Sequence, residues 1–273
     1  MRHEETSAGL TSALFAAKLS HMRYAVPTDA PIDLPVQPRP ASWNKSGDPD
    51  QVRLGEFLSG IDRLVWLRLE ALPDPLALRL DVGLPAKTPL LVHHDLDNYL
   101  LPLVAHLTRK TGRRFASAWA TKRTSPTSSL QIDRARPLRG DADTGQLHMV
   151  RTSASSQSVG FKQQIHDQLS DADPLPEGPV ALHLSFAVGP QRNWTNLWKP
   201  TIDALERILG RATPDRSWHP RDGRVVELGL HCQIDTALRY DVVIAIAATA
   251  ARTATDPPAT GFPARETDGR RMP

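Results

Sequence analysis

The sequence predicts an α+β fold made of two tandem units, each a small mixed sheet packed with helices. Three observations predict it. Apolar segments of helical period alternate with short runs of period two. The order of these segments occurs twice along the 273 residues. Residue identities recur between the two occurrences at a near-constant spacing of about 100, too long for a solenoid and suited to a duplicated domain.

Composition bounds the answer. A chain of 273 residues holds one large domain or two smaller ones. With 40% hydrophobic and 23% charged residues it can bury a core. No apolar run approaches the ~18–20 residues that span a bilayer. The single cysteine, Cys232, excludes an internal disulfide and a cysteine-based zinc cage. Glu4 and Glu5 precede the apolar stretch 8–17, and no convincing small-residue cleavage site follows it. That argues against a secretory leader and for a cytoplasmic protein. The charge is +3 and the pI about 9.2, carried by 26 Arg and 7 Lys. Such an excess suits nucleic acid and equally suits a genome rich in arginine codons.

The elements follow in order. A helix is expected over Ser7–Met22, with Leu10, Leu14, Ala17 and Leu19 on one side. Pro27 to Pro40 reads as an extended linker. The first unit then has a helix over Arg53–Leu72, a strand PLALRLDVGL (75–84) and a loop. A helical segment ending at Gly112, Trp119 and a strand SSLQI (128–132) complete it. A polar stretch from Arg134 to Gln157 separates the units. The second unit has a helix over Gly160–Leu169, a strand PVALHLSFAV (179–188) and a helical segment ending at Gly210. Trp218 and strands at 224–234 and 241–248 follow. From Arg252 onward, Pro, Thr, Gly and charge without periodicity read as a disordered tail. The domain boundaries are therefore 1–34, 35–140, 141–251 and 252–273.

At an offset of 98, Asn98 matches Asn196, Pro102 Pro200, Leu107 Leu205, Arg109 Arg207, Gly112 Gly210 and Leu130 Leu228. At 104, Pro75 matches Pro179, Ala77 Ala181, Leu78 Leu182 and Leu80 Leu184. Proline fits the first turn of a helix, which puts the helix starts near Leu101 and Lys199. Gly112 and Gly210 are expected as left-handed caps.

The segment His93-His94-Asp95-Leu96-Asp97-Asn98 carries the chemistry. In extended chain, Asp95 and Asp97 point to one side. Hard oxygen donors so placed suit Mg²⁺, which polarises a phosphate and activates water. Aspartate and asparagine before a helix also serve as plain caps. His93 and His94 read as loop residues. Arg109, Lys110, Arg113, Arg114, Lys122 and Arg123 form a candidate DNA-binding cluster. Helix-dipole pairing and a solvated loop account for it equally well. Arg192, Arg211, Arg216, Arg221 and Arg224 make a second basic region. Trp119 and Trp218 occupy similar places after the helices and read as core. His231 and Cys232 read as a structural pair. No P-loop, Rossmann fingerprint, HExxH or G-x-S-x-G occurs.

The second unit resembles the RusA-like Holliday junction resolvases. NWTNLWKPTIDAL (193–205) is similar to that family's D-[IL]-D-N-x-x-K-x-x-x-D-A-L, and WHPRDGRVVEL (218–228) to its W-x-D-D-x-Q-V-x-x-L. Matching residues are Asn196, Lys199, Asp203, Ala204, Leu205, Trp218, Asp222, Val225 and Leu228. Trp218 stands one residue further from Asp222 than the pattern has it. The first unit looks like a diverged copy, with Asp95-Leu96-Asp97-Asn98 as the acidic motif and Pro40–Asn44 echoing a proline-rich start.

The resemblance implies a Mg²⁺-dependent endonuclease that cuts four-way DNA junctions in recombination and repair. It implies a family homodimer, here an intramolecular pseudo-dimer or a further homo-oligomer. It carries catalytic roles to Asp95, Asp97, Asp222 and Lys199, with Asp95 and Asp97 as metal ligands. The second copy has Asn193 and Thr195 for the two acids. The first has Leu101 for the lysine and Thr124 in the register of Asp222. Neither copy holds a full set, so a shared site across the pseudo-twofold axis is one expectation. A scaffold that kept junction binding and lost cleavage is another, and a protein-interaction module a third.

Overall fold

The computed structural model describes residues 23–251 except 43, 46 and 139–145. The expected Ser7–Met22 helix, the tail from Arg252 and Trp43 of the proline-rich echo lie outside the described residues.

Eight strands form one mixed sheet. They are β1 (Ile32–Asp33), β2 (Leu76–Leu84), β3 (Phe115–Thr124), β4 (Ser129–Arg134), β5 (Gln146–Thr152), β6 (Val180–Val188), β7 (Val225–Ile234) and β8 (Val242–Ala250). The helices are α1 (Pro49–Ala71), α2 (Leu96–Thr111), α3 (Val159–Gln168), α4 (Trp198–Asp203) and α5 (Glu206–Leu209). The fold is mixed α/β, and one continuous sheet replaces the two small ones expected. No helix among the described residues is long and apolar enough to cross a membrane.

Alternation sets the layers. Leu78, Leu80, Leu182, Leu184, Leu228, Leu230, Ile244 and Ile246 share one buried cluster with Ile61 of α1, Leu103 of α2, Phe161 of α3 and Ile202 of α4. The alternate positions, among them Ser117, Thr121, His183, Glu227 and His231, belong to the other, more polar face.

The strand order is β1-β4-β2-β3-β7-β6-β8-β5. Read inward from either edge, the roles repeat. β2 runs parallel to β3 and antiparallel to β4. β6 runs parallel to β7 and antiparallel to β8. The seam is the antiparallel pair β3–β7, with Trp119 opposite Gly229, Ser117 opposite His231 and Thr121 opposite Glu227. Gly229 is needed there: a Cβ would come within 2.9 Å of the Trp119 ring and 2.7 Å of the His183 ring.

This pairing corrects the sequence alignment. β7 corresponds in position to β3, not to the 128–132 strand, so Leu130 and Leu228 are not counterparts. The start of β3 at Phe115 and of β7 at Val225 gives an offset of 110. Two residues separate Gly112 from β3, whereas fourteen separate Gly210 from β7. Asp222 lies in that longer connection, and Thr124, at the far end of β3, is not its counterpart. Trp119 and Trp218 also occupy different places. Trp119 is central in β3, and Trp218 sits in the long connection at φ 67°.

α2 starts at Leu96, five residues before the expected Leu101, so Pro102 lies inside it. Proline offers no N–H to the carbonyl four residues back. That carbonyl, of Asn98, accepts the Ala41 N–H instead at 2.6 Å. The helix flaw thereby anchors the incoming proline-rich segment. Pro200 falls in the first turn of α4, as expected. The helix expected to run on to Gly210 is broken into a 3-10 turn at Trp194–Leu197, α4 and α5. Gly112 is a left-handed cap at φ 67°, its N–H reaching the Thr108 carbonyl. Gly210 instead has φ 77° and ψ 164°, a conformation open in practice to glycine alone.

His231 is fully buried, as a structural residue would be. Its Nδ1 lies 3.2 Å from the Ser117 hydroxyl, and Trp119 meets its ring edge-on at 5.0 Å. Burial holds its pKa well below 6.5, helped by the charges of His183 and Arg23. The unfolded chain takes up a proton near pH 6.5 while the folded one does not. His231 therefore adds a loss of stability as pH falls below about 6.5, at up to about 1.4 kcal/mol per pH unit. Urea midpoints at pH 7.5 and 5.5 should fall less for His231→Phe than for wild type. An equal fall in both proteins would assign the effect elsewhere.

Candidate active site

Three short segments meet beside the seam: the loop before α2, the Asp222–Arg224 turn before β7, and α4. The loop is held in an unusual shape. His93 and His94 have φ of 60° and 57°, a region that non-glycine residues seldom enter. Lys122, 4% exposed, fixes it. Its ammonium donates to the carbonyls of His93 (3.3 Å), His94 (3.1 Å) and Gly223 (2.6 Å). One buried charge thus ties the first half's loop to the second half's turn. Contact there is tight, since a Cβ on Gly223 would stand 2.9 Å from the His93 nitrogen. His94 Nδ1 lies 2.8 Å from the Tyr99 hydroxyl, in keeping with a loop role.

Asp95 precedes α2 and Asp97 lies in its first turn. The Asn98 amide donates to Asp95 at 3.2 Å. Lys199 of α4 donates to Asp222 at 2.8 Å and pairs with Asp203 at 3.2 Å. Lys162 of α3 approaches Asp203 at 3.7 Å. Asp95, Asp97, Asp222 and Lys199 therefore act on one another electrostatically, although two come from each half.

Burial pushes the Asp97 carboxyl up to about 7. Lys199 opposes the shift, and Asp222, Asp95 and Asp203 add to it. Asp95 is raised by burial and then by Asp222. Burial lowers the Lys122 ammonium to about 8 against the pull of Asp95, Asp222 and Asp97. Lys199 moves the other way: Asp97, Asp222 and Asp203 overcome its burial and hold it well above the ordinary lysine value. One cation serves several acids, so its own charge is secured while theirs are strained.

The carboxylates are hard oxygen donors, the right chemistry for Mg²⁺. Asp95, Asp97 and Asp222 are the mutually coupled set that fits it in kind. Among the described residues no three His, Cys, Asp or Glu side chains already form a ligand group, and an ammonium supplies the local positive charge.

The expected DNA-binding cluster divides. Lys122 is buried in the site and cannot track a phosphate on the surface. Arg113 closes the end of α1, donating to the Leu69 and Leu72 carbonyls and pairing with Asp74 at 2.7 Å. Lys110 approaches Asp62 at 3.7 Å, a carboxylate that also meets His106. Arg109, Arg114 and Arg123 remain exposed. In the second basic region Arg211 pairs with Glu206, Arg221 with Glu177, and Arg224 is buried on backbone carbonyls. Two site residues escaped the sequence analysis in these roles, Asp203 and Lys122. Asp203 had appeared as a match to the resolvase pattern. Lys122 has a signal of its own, a lysine continuing the buried Ala118, Ala120 alternation, but only once β3 is recognised as a strand.

No family model matches the chain, and no curated protein matches it. A solved cyanuric acid hydrolase structure is similar at 12% identity and a TM-score of 0.21, over 70% of this chain and 64% of that one. The chain thus spans somewhat under two thirds of that structure. A likeness at this level bears on neither fold nor activity.

Proposed function

We propose that this protein is a Mg²⁺-dependent, structure-specific DNA endonuclease acting on four-way junctions in recombination and repair, its two halves being RusA-like units fused as an intramolecular pseudo-dimer. One observation carries the proposal. The residues given catalytic roles by the resemblance, Asp95 and Asp97 from one half and Asp222 and Lys199 from the other, converge on a single coupled site. The matching strand roles on either side of the Trp119–Gly229 pair support the pseudo-dimer.

Asp95, Asp97 and Asp222 would hold the ion. When bound, it supplies an activated water and a polarised phosphate. Lys199 offsets charge on the phosphate undergoing cleavage. Lys122 fixes the loop that aims Asp95 and Asp97. Asn193 and Thr195 lack the anionic oxygens of a strong ligand, so the second half contributes no cleavage site of its own.

The test is cleavage of a labelled synthetic four-way junction with Mg²⁺. Wild type should nick it, while Asp97→Asn and Lys199→Ala should each lose at least a hundredfold in rate. Absence of cleavage by wild type across divalent ions overturns the proposal. One observation favours a second reading, a junction-binding scaffold without cleavage. Lys199 is already engaged by Asp222 and Asp203. Tight, salt-sensitive junction binding without product would establish that reading.

A further inference from the structure

The spacing of 98 that matches the two helical segments relates the acid site to a second place in the molecule. Asp95 and Asp97 correspond to Asn193 and Thr195, and Lys199 to Leu101. Beside Asn193 and Thr195 the structure has a cavity of about 420 Å³, between the 190–195 loop and the C-terminal half of α2. That volume is in the range of small-ligand sites.

Its charged lining has one sign. Arg109, Arg114 and Arg192 line it, and no carboxylate does. Arg109 and Arg114 are exposed and make no ion pair or side-chain hydrogen bond among the described residues. Arg192 donates to the Ala154 carbonyl at 2.7 Å, while its Nε is buried without a partner. A buried guanidinium N–H without an acceptor is costly unless something fills the place. Asn193 Oδ1 accepts from the Thr195 N–H at 3.2 Å and from the Thr195 hydroxyl at 2.9 Å. Those two bonds occupy its oxygen and leave its amide N–H groups to donate.

Neutral side chains thus stand at the positions that match Asp95 and Asp97, and cations stand around them. Guanidinium forks match the oxygens of phosphate better than any other side chain does. We propose that this cavity is a phosphate-binding site, with Arg109, Arg114, Arg192 and Asn193 as the donors. The phosphate comes either from a nucleic-acid backbone or from a free phosphate compound. The site is independent of the acid cluster's chemistry, so its fate and that of the cleavage proposal are separately decided.

The full chain is titrated with inorganic phosphate by calorimetry in a phosphate-free buffer, and then with a short single-stranded oligonucleotide. Saturable phosphate binding is expected, at least tenfold weaker in the double variant Arg109→Ala, Arg114→Ala. Arg63→Ala, an exposed arginine of α1 outside the cavity, should bind as wild type does. Because the two replaced side chains are exposed, the double variant should keep the wild-type melting temperature, which checks its fold. An oligonucleotide that displaces phosphate and binds far more tightly, through the same two arginines, identifies the backbone as the source. Equal affinity for phosphate and oligonucleotide identifies a free compound. No phosphate binding, or equal binding by wild type and the double variant, overturns the proposal.

Discussion

Asp97→Asn is expected to make the protein more stable. Asp97 is 3% exposed, and its carboxyl is pushed up to about 7 from an ordinary 3.8. Above pH 7 the folded protein carries a buried anion that the unfolded chain would rather hold in water. The folded state binds this proton more tightly, so stability rises as pH falls from about 7 toward 4. Asparagine has no charge to bury at any pH. The variant should gain roughly 2–4 kcal/mol at pH 8, and the gain should vanish near pH 4. Urea unfolding of both proteins at the two pH values reads this directly. A variant less stable than wild type at pH 8 would mean that the attraction of the Lys199 charge outweighs the burial. Residues that lower stability where chemistry needs them are common in active sites.

Lys122→Met should do the opposite and unfold the site from within. Methionine keeps the length and loses the ammonium. Three carbonyls from two halves of the chain then lose their donor. Two adjacent residues with positive φ also lose the contact that holds them, and such conformations cost about 1–3 kcal/mol each. We expect a loss of about 3 kcal/mol, partly offset because the buried ammonium itself is costly. Amide exchange at His93 and His94 should rise well beyond that of the core strands. A variant as stable as wild type would show that the loop holds its own shape.

Much of the sheet was legible because most of its strands carry a clear apolar pattern. β2, β6 and β7 follow from period two, and β8 from a continuous apolar run. β3 did not, because it is buried on both faces and built of small residues. FASAWATKRT has no alternation of apolar and polar side chains to read. Missing β3 misplaced the alignment of the halves. β7 was matched to β4, and Asp222 was given a counterpart it does not have. β5 lay unseen in a polar stretch, as an edge strand with one wet face can. The acids themselves were visible by spacing. Their convergence was not, since Asp97 and Asp222 are 125 positions apart and only the sheet brings them together. The basic cluster misled for a related reason. Sequence shows charge but not burial, and Lys122 and Arg113 spend theirs on carbonyls inside the fold.

The pair at the seam also governs which strands can join. Trp119 is a knob, and Gly229 is the socket that receives it. Two copies of the first half would set indole against indole across the same register. Two copies of the second would leave a gap where the ring belongs. The close fit seen here therefore needs one ring and one glycine, one from each side of the seam. Because one chain carries both, the pair at the seam forms at any dilution.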